Sequence, residues 1–345
     1  MKLLISALEP SSNIHLRELL NYMEGVEPIG IFDSSLGNPL YDISSMAVMG
    51  FVDVIKKVRW FFKAIDEMVE LAKEADKILL MDSSAFNIPL AKRLKERYPN
   101  REIIYYILPQ VWASRPDRVK KLEKYCDRLL GILPFEIDYY TKAEYVGHPL
   151  LDEISVKRDI DSRYISFLAG SREGEIKRLM PIFREVRGQM ADDALLVIPP
   201  NFSDEKIGTL YGDIRGFKVC RDTHKALAKS KFAFICSGTA TLESALIGTP
   251  FTLVYIAKAL DLFIGKRLLN INYIGLSNIL LQNYNSSLLH RELIQRDVTV
   301  DNLLREYREV DRELFREKAQ ELREYLKYGS CKRVADVIME SPPPE

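Results

Sequence analysis

Short apolar runs alternate with amphipathic stretches along this chain, in two successive series, and few folds accept that rhythm. The first series is KLLISAL (2–8), EPIGIF (27–32), KILLMD (77–82), REIIYYIL (101–108) and DRLLGIL (127–133). The second is YISFLAG (164–170), ALLVIPP (194–200), FKVC (217–220), KFAFICS (231–237) and FTLVYI (251–256). Runs this short and continuous read as strands buried on both faces, and helical patterns separate most of them. The expectation is α/β: two doubly wound domains, each a parallel sheet between helical layers, facing across a cleft. A length of 345 residues suits two domains. The first is expected over 1–155 and the second over 156–310, with the charged LLDEISVKRDIDSR (150–163) linking them. Charged C-terminal helices over 311–345, able to pack back on the first domain, end in SPPPE, expected to fray.

Composition excludes several classes. Lys+Arg and Asp+Glu are 49 each, so the chain lacks the basic footprint of a nucleic-acid binder. The four cysteines (Cys126, Cys220, Cys236, Cys331) form no C-x-x-C pair and no metal spacing, which fits a reducing cytosol and predicts no metal or other cofactor. In MKLLISALEP the apolar run is short and Glu9 follows at once, so it reads as a first strand, not a signal peptide. No run reaches the about 18 apolar residues of a spanning helix. The protein is expected to be soluble, or to lie on a membrane without crossing it.

CSGTATLESALIGTP (236–250) follows an apolar run and opens a helical pattern. Ser237, Gly238 and Thr239 fall where a helix starts, with backbone N–H groups available to a phosphate. Glu243 lies about one turn further in, within reach of a ribose on that phosphate. LAGSREGEI (168–176) repeats the strand–turn–helix plan: Gly170 makes the turn, Ser171 is the expected cap and Arg172 adds a guanidinium. Each taken alone is also an ordinary βα turn, but two in one domain point to a nucleotide diphosphate. Neither is a P-loop, and no G-x-G-x-x-G follows the first strand.

In the first domain Asp82 ends a strand and is a candidate general base, or a turn residue; Glu9 has the same position after the first strand. His15 and His148 are lone histidines, more often structural than catalytic, and His224 and His290 read as surface positions. MAVMGFVDVIKKVRWFFKAI (46–65) sets Phe51, Trp60 and Phe62 beside Lys56, Lys57, Arg59 and Lys63. Such a helix either packs on a core or lies in a bilayer interface. AKALDLFIGKRLL (257–269) has the same character.

Read together and in order, SMAVMG (45–50), DSSAFN (82–87), PQVWASR (109–115), LPFE (133–136), VGHPL (146–150), AGSREGEI (169–176), SGTATLE (237–243) and GLSNIL (275–280) resemble the lipid-A-disaccharide synthases, glycosyltransferases of the GT-B fold. The resemblance spans nearly the whole chain. It implies transfer of 2,3-diacylglucosamine from its UDP carrier to the 6-hydroxyl of 2,3-diacylglucosamine 1-phosphate, with inversion to β and release of UDP. It implies that Arg172 and the Ser237–Thr239 turn hold the diphosphate, Glu243 the ribose, and that Asn278 lies near the nucleotide sugar. Asp82 matches the family's essential aspartate and Glu9 the glutamate of its N-terminal motif; Asn87 and His148 are candidates for the acceptor side. It further implies a cytoplasmic enzyme resting on the inner membrane, and leaves a homodimer open.

The N-terminal motif departs from the family's G-E-A-S-G-D, reading Leu8-Glu9-Pro10-Ser11-Ser12-Asn13, and a proline restricts a loop that glycine leaves free. Three rival readings share the diphosphate turns or the scaffold alone. They are a GT-B enzyme acting on unacylated UDP-N-acetylglucosamine (glycosyltransferase or 2-epimerase), a nucleotide-sugar-binding protein without catalysis, and an α/β scaffold.

Overall fold

The structure, a computed structural model, describes residues 1–43, 54–256 and 273–340, with the backbone alone over 54–58. It divides into two compact units, Met1–Glu153 with Leu326–Glu345, and Ile154–Tyr325.

The first unit is built on seven strands: β1 (Lys2–Ala7), β2 (Glu27–Phe32), β3 (Tyr41–Asp42), β4 (Lys77–Met81), β5 (Ile103–Tyr106), β6 (Arg128–Gly131) and β7 (Ala143–Tyr145). They pair in parallel in the order β3-β2-β1-β4-β5-β6-β7. Successive side chains point to opposite faces, and both faces are apolar. Leu3, Ile5, Leu79, Met81 and Ile104 pack with Leu16 and Leu19 of the helix Pro10–Leu20 and with Val334 and Ile338 of the helix Ser330–Met339. Leu4, Ile78, Leu80 and Ile103 pack on the other side with Ile65 and Met68 of the helix Val54–Leu71 and Leu90 and Leu94 of the helix Ser84–Arg97.

The second unit has six strands: β8 (Tyr164–Leu168), β9 (Asp193–Val197), β10 (Phe217–Cys220), β11 (Ser230–Cys236), β12 (Phe251–Tyr255) and β13 (Glu292–Ile294). Their order is β10-β9-β8-β11-β12-β13, again with parallel pairing. One face buries Ile165, Phe167, Phe232 and Phe234 against Ile176, Met180 and Phe183 of the helix Glu173–Gly188.

In each sheet the strand order reverses once, between β1 and β4 in the first unit and between β8 and β11 in the second. At such a point the connections leave in opposite directions, and the space beyond the strand ends stays open to a ligand.

Two boundaries differ from the sequence reading. Leu150–Glu153 is a helical turn of the first unit, with Leu150 and Leu151 buried, because Asp152 accepts from Gly329 N at 2.7 Å and Cys331 N at 2.9 Å and so caps the helix Ser330–Met339. The C-terminal segment divides at Leu326, so that most of the helix Arg312–Leu326 belongs to the second unit. Among the described residues no helix is long and apolar enough to cross a membrane. SMAVMG, Phe51, the segment 257–269 and SPPPE lie outside the described residues, as do the side chains of Lys56 and Lys57.

Candidate active site

Glu9 follows β1 and Asp82 follows β4, so the two carboxylates stand at the switch point of the first sheet. Ser83 links them, its hydroxyl donating to Glu9 Oε1 at 3.3 Å. Asp82 and Ser83 both hold left-handed backbone angles, φ 49° and 35°. Non-glycine residues adopt this at a cost of about 1–2 kcal/mol each, so other contacts must hold the turn. Asn87 does so, its amide donating to Met81 O and Asp82 O, each at 2.9 Å, while its oxygen accepts from Ser6 Oγ at 2.6 Å. The Tyr105 hydroxyl also donates to Asp82 O. The carboxyl of Asp82 is pushed above the ordinary carboxylate range, first by burial and then by Glu9; the Ser83 N–H and His15 oppose the rise.

Glu9 is positioned in the same way. Asn13 donates to Ala7 O at 2.7 Å and Glu9 O at 2.9 Å and accepts from Asp33 N at 2.7 Å. Pro10 is the first residue of the helix Pro10–Leu20, where its fixed φ suits the helix and its missing N–H has no partner to lose. The altered motif therefore keeps Glu9 at the strand end. Leu8, Glu9, Trp60, Phe61, Asp82 and Phe86 line a hollow of about 450 Å³.

The helix Val54–Leu71 is divided in role. Trp60, expected on a membrane surface, instead stacks on Phe86 at 6.2 Å and meets Tyr41 edge-on at 5.6 Å. Phe61 packs on the same core, while Phe62 is 52% exposed beside exposed Arg59 and Lys63.

In the second unit the turns after β8 and β11 are neighbours: Leu168 pairs with Ile235, and a side chain at Gly170 would come within 3.2 Å of Cys236 Sγ. Gly170, at φ 91°, would also drive a Cβ to 2.5 Å from Glu175 Oε2, so only glycine fits. Ser171 does not cap the helix; the capping position is Arg172, with no side-chain bond. Its exposed guanidinium donates to Glu175 Oε1 at 3.1 Å. The helix Thr239–Ile247 starts at Gly238, also without a side-chain cap, and a Cβ there would meet nothing within 4 Å. Ser237 is half-buried and Thr239 exposed. Two helix N-termini and one guanidinium thus share one corner, a field suited to an anion. Glu243 is one turn in, with His224 Nε2 at 3.6 Å from Oε2.

Several sequence expectations change here. Asn87 and His148, expected to meet an acceptor, are buried. Asn87 spends its amide on the Asp82 turn; His148 accepts from Leu150 N at 3.3 Å, and burial drops its imidazole to about 3, which keeps it neutral. Asn278 has no capacity left for a ligand: it donates to His290 O and Glu292 Oε1 and accepts from Leu289 N and His290 N. It positions the start of the helix Leu276–Asn285. His290 is buried rather than exposed, lowered to about 4 by desolvation, and His224 is half-buried. His15, also buried, pairs with Glu153. The sequence reading missed Glu175 and Glu136, although both lie inside quoted motifs, AGSREGEI and LPFE.

A family model described as lipid-A-disaccharide synthetase matches residues 3–335. The lipid-A-disaccharide synthase of Helicobacter pylori strain G27 is 49% identical over 350 residues, 97% of each chain. That of Campylobacter jejuni strain RM1221 is 43% identical over 362 residues, 98% of this chain and 99% of the other. Among solved structures, a calicheamicin glycosyltransferase aligns with a TM-score of 0.63 at 13% identity, over 98% of this chain and 97% of the other. The UDP-GlcNAc 2-epimerase of Neisseria meningitidis aligns with a TM-score of 0.60 at 11% identity, over 98% of this chain and all (100%) of the other.

Proposed function

The chain belongs to the lipid-A-disaccharide synthase family of GT-B glycosyltransferases, and from that premise we propose that it joins UDP-2,3-diacylglucosamine to 2,3-diacylglucosamine 1-phosphate on the cytoplasmic face of the inner membrane. The second unit takes the UDP-sugar, and the first supplies the acceptor side and the base. The observation that carries this division is the placement of two carboxylates at one switch point and two uncapped helix starts with Arg172 at the other.

In the proposed reaction the acceptor 6-hydroxyl oxygen attacks the anomeric carbon from the face opposite UDP. A C–O bond forms there, the bond to the β-phosphate oxygen breaks, and the anomeric centre inverts to β. The hydroxyl proton passes to Asp82, whose raised pKa brings it nearer neutrality and makes it a better acceptor. UDP leaves as an anion, and its growing charge meets Arg172 and the N–H groups that open the helices Glu173–Gly188 and Thr239–Ile247. Gly170, Ser171, Ser237, Gly238 and Thr239 supply backbone close to the phosphates, and Glu243 accepts from the ribose hydroxyls. Glu9 stands beside Asp82, adds to the rise of its carboxyl and orients Ser83 by accepting from its hydroxyl.

Asp82→Asn separates the two roles. Its turnover should fall by about 10²-fold or more, the range of a lost general base, with UDP affinity unchanged by calorimetry. Retention of most of the turnover would remove Asp82 as the base. Disaccharide formation from unacylated UDP-N-acetylglucosamine at an equal rate would count against the acylated substrates.

A further inference from the structure

A second hollow adjoins the first, sharing Ser84 and Ala85 with it, so the opening of the helix Ser84–Arg97 is a wall common to both. Its volume is about 430 Å³. Lys92, Arg115, Arg118 and Lys121 line it, against one carboxylate, Asp117. In a chain with 49 basic and 49 acidic residues that is a local surplus of positive charge. Asp117 is committed to Lys121 at 2.8 Å, and Lys92 has a loose partner in Glu96 at 3.8 Å. Among the described residues neither Arg115 nor Arg118 makes an ion pair. The remaining wall, Ile88, Pro89 and Tyr125, is apolar or aromatic.

We propose that this hollow is a phosphomonoester site, in which Arg115 and Arg118 hold the anomeric phosphate of the acceptor while its hydroxyl reaches Asp82 next door. Two guanidiniums suit a dianionic phosphate because each donates two parallel N–H groups. The shared wall keeps the two ends of one small sugar within reach of both hollows. The site rests on the acceptor identity proposed above.

The test is equilibrium binding of 2,3-diacylglucosamine 1-phosphate, and of the same lipid without phosphate, to the full chain in detergent micelles without donor. The intact protein should prefer the phosphorylated lipid by about 10- to 100-fold, the size of one or two charge-assisted hydrogen bonds. Arg115→Ala/Arg118→Ala should erase that preference at an unchanged melting temperature, and Arg115→Ala alone, an exposed position, should erase part of it. A preference that survives in the double variant, or is missing from the intact protein, overturns the site. So does loss of binding to phosphatidylglycerol vesicles with the acceptor preference intact, which would assign the hollow to a lipid headgroup. A preference erased by the variant, in a protein that yields no disaccharide, would leave this site standing and remove the proposed reaction.

Discussion

Glu136 sits fully buried in the loop after β6, and neither of its carboxyl oxygens has a hydrogen-bond partner among the described residues. The Trp112 indole N–H lies near enough to oppose part of the effect without completing a bond, and burial, reinforced by the charge of Asp82, pushes the acid up to about 8. The folded protein therefore keeps a proton that the unfolded chain gives up near pH 4.5. Folding takes up that proton, so stability falls as pH rises from the unfolded value towards the folded one, by about 1.4 kcal/mol per pH unit. Glu136→Gln has no proton to lose. It should be more stable than the parent at pH 7 by roughly 3 kcal/mol in urea titrations, with the gap closing at pH 4.5. A gap that stays constant with pH would show that Glu136 is not the titrating group. Residues of this kind were the least legible in the sequence. Asn87, Asn278 and His148 carry functional groups that suit a ligand, yet each is spent on backbone or buried. A residue type shows what can be donated or accepted, not which neighbour takes it.

Elements were more legible than residues, because an apolar run has only a few ways to be buried. The strand candidates over 2–8, 27–32 and 217–220 coincide with β1, β2 and β10 to within a residue, whereas β3, β7 and β13 were not anticipated. These three are edge strands of two or three residues, partly solvated, with sequences YD, AEY and ELI. So short a stretch has no room for a period-two signal. The helix Val54–Leu71 shows a different limit: three aromatics in a row cannot share a face, since neighbours stand about 100° apart. Trp60 and Phe61 turn to the core and Phe62 turns out between Arg59 and Lys63. The exposed face is the part suited to a membrane surface with anionic headgroups. Arg59→Glu/Lys63→Glu should lower the affinity for phosphatidylglycerol vesicles, read by co-sedimentation, by at least about 30-fold, at about 1 kcal/mol for each of the two cations lost. Binding to neutral phosphatidylcholine vesicles should not change. Equal sedimentation of variant and parent would remove this face from the proposal.

Across the whole molecule, two parallel sheets built on one plan each reverse their strand order once, with the candidate site residues next to that point, and the tandem βα rhythm already implied both sheets. What the rhythm does not carry is where the tail goes, since amphipathic helices fit either unit equally well by pattern. The packing decides it. Val334, Ala335, Val337 and Ile338 close the face of the first sheet together with Leu16, Leu19 and Phe32. Asp152 caps that last helix, and Tyr106 and Ser330 face each other at 3.3 Å. Burial of Val334, Val337 and Ile338 alone contributes roughly 5–9 kcal/mol at about 1.5–3 each, as much as a typical domain's entire stability of about 5–15 kcal/mol. A chain ending after Leu326 should therefore lose the first unit and keep the second. In hydrogen exchange the amides of β1 and β4 should be unprotected, while those of β8 and β11 keep their parent rates. Protection of β1 in the truncated chain would mean that the first unit folds without its last helix, and that the C-terminal return only decorates a core already complete.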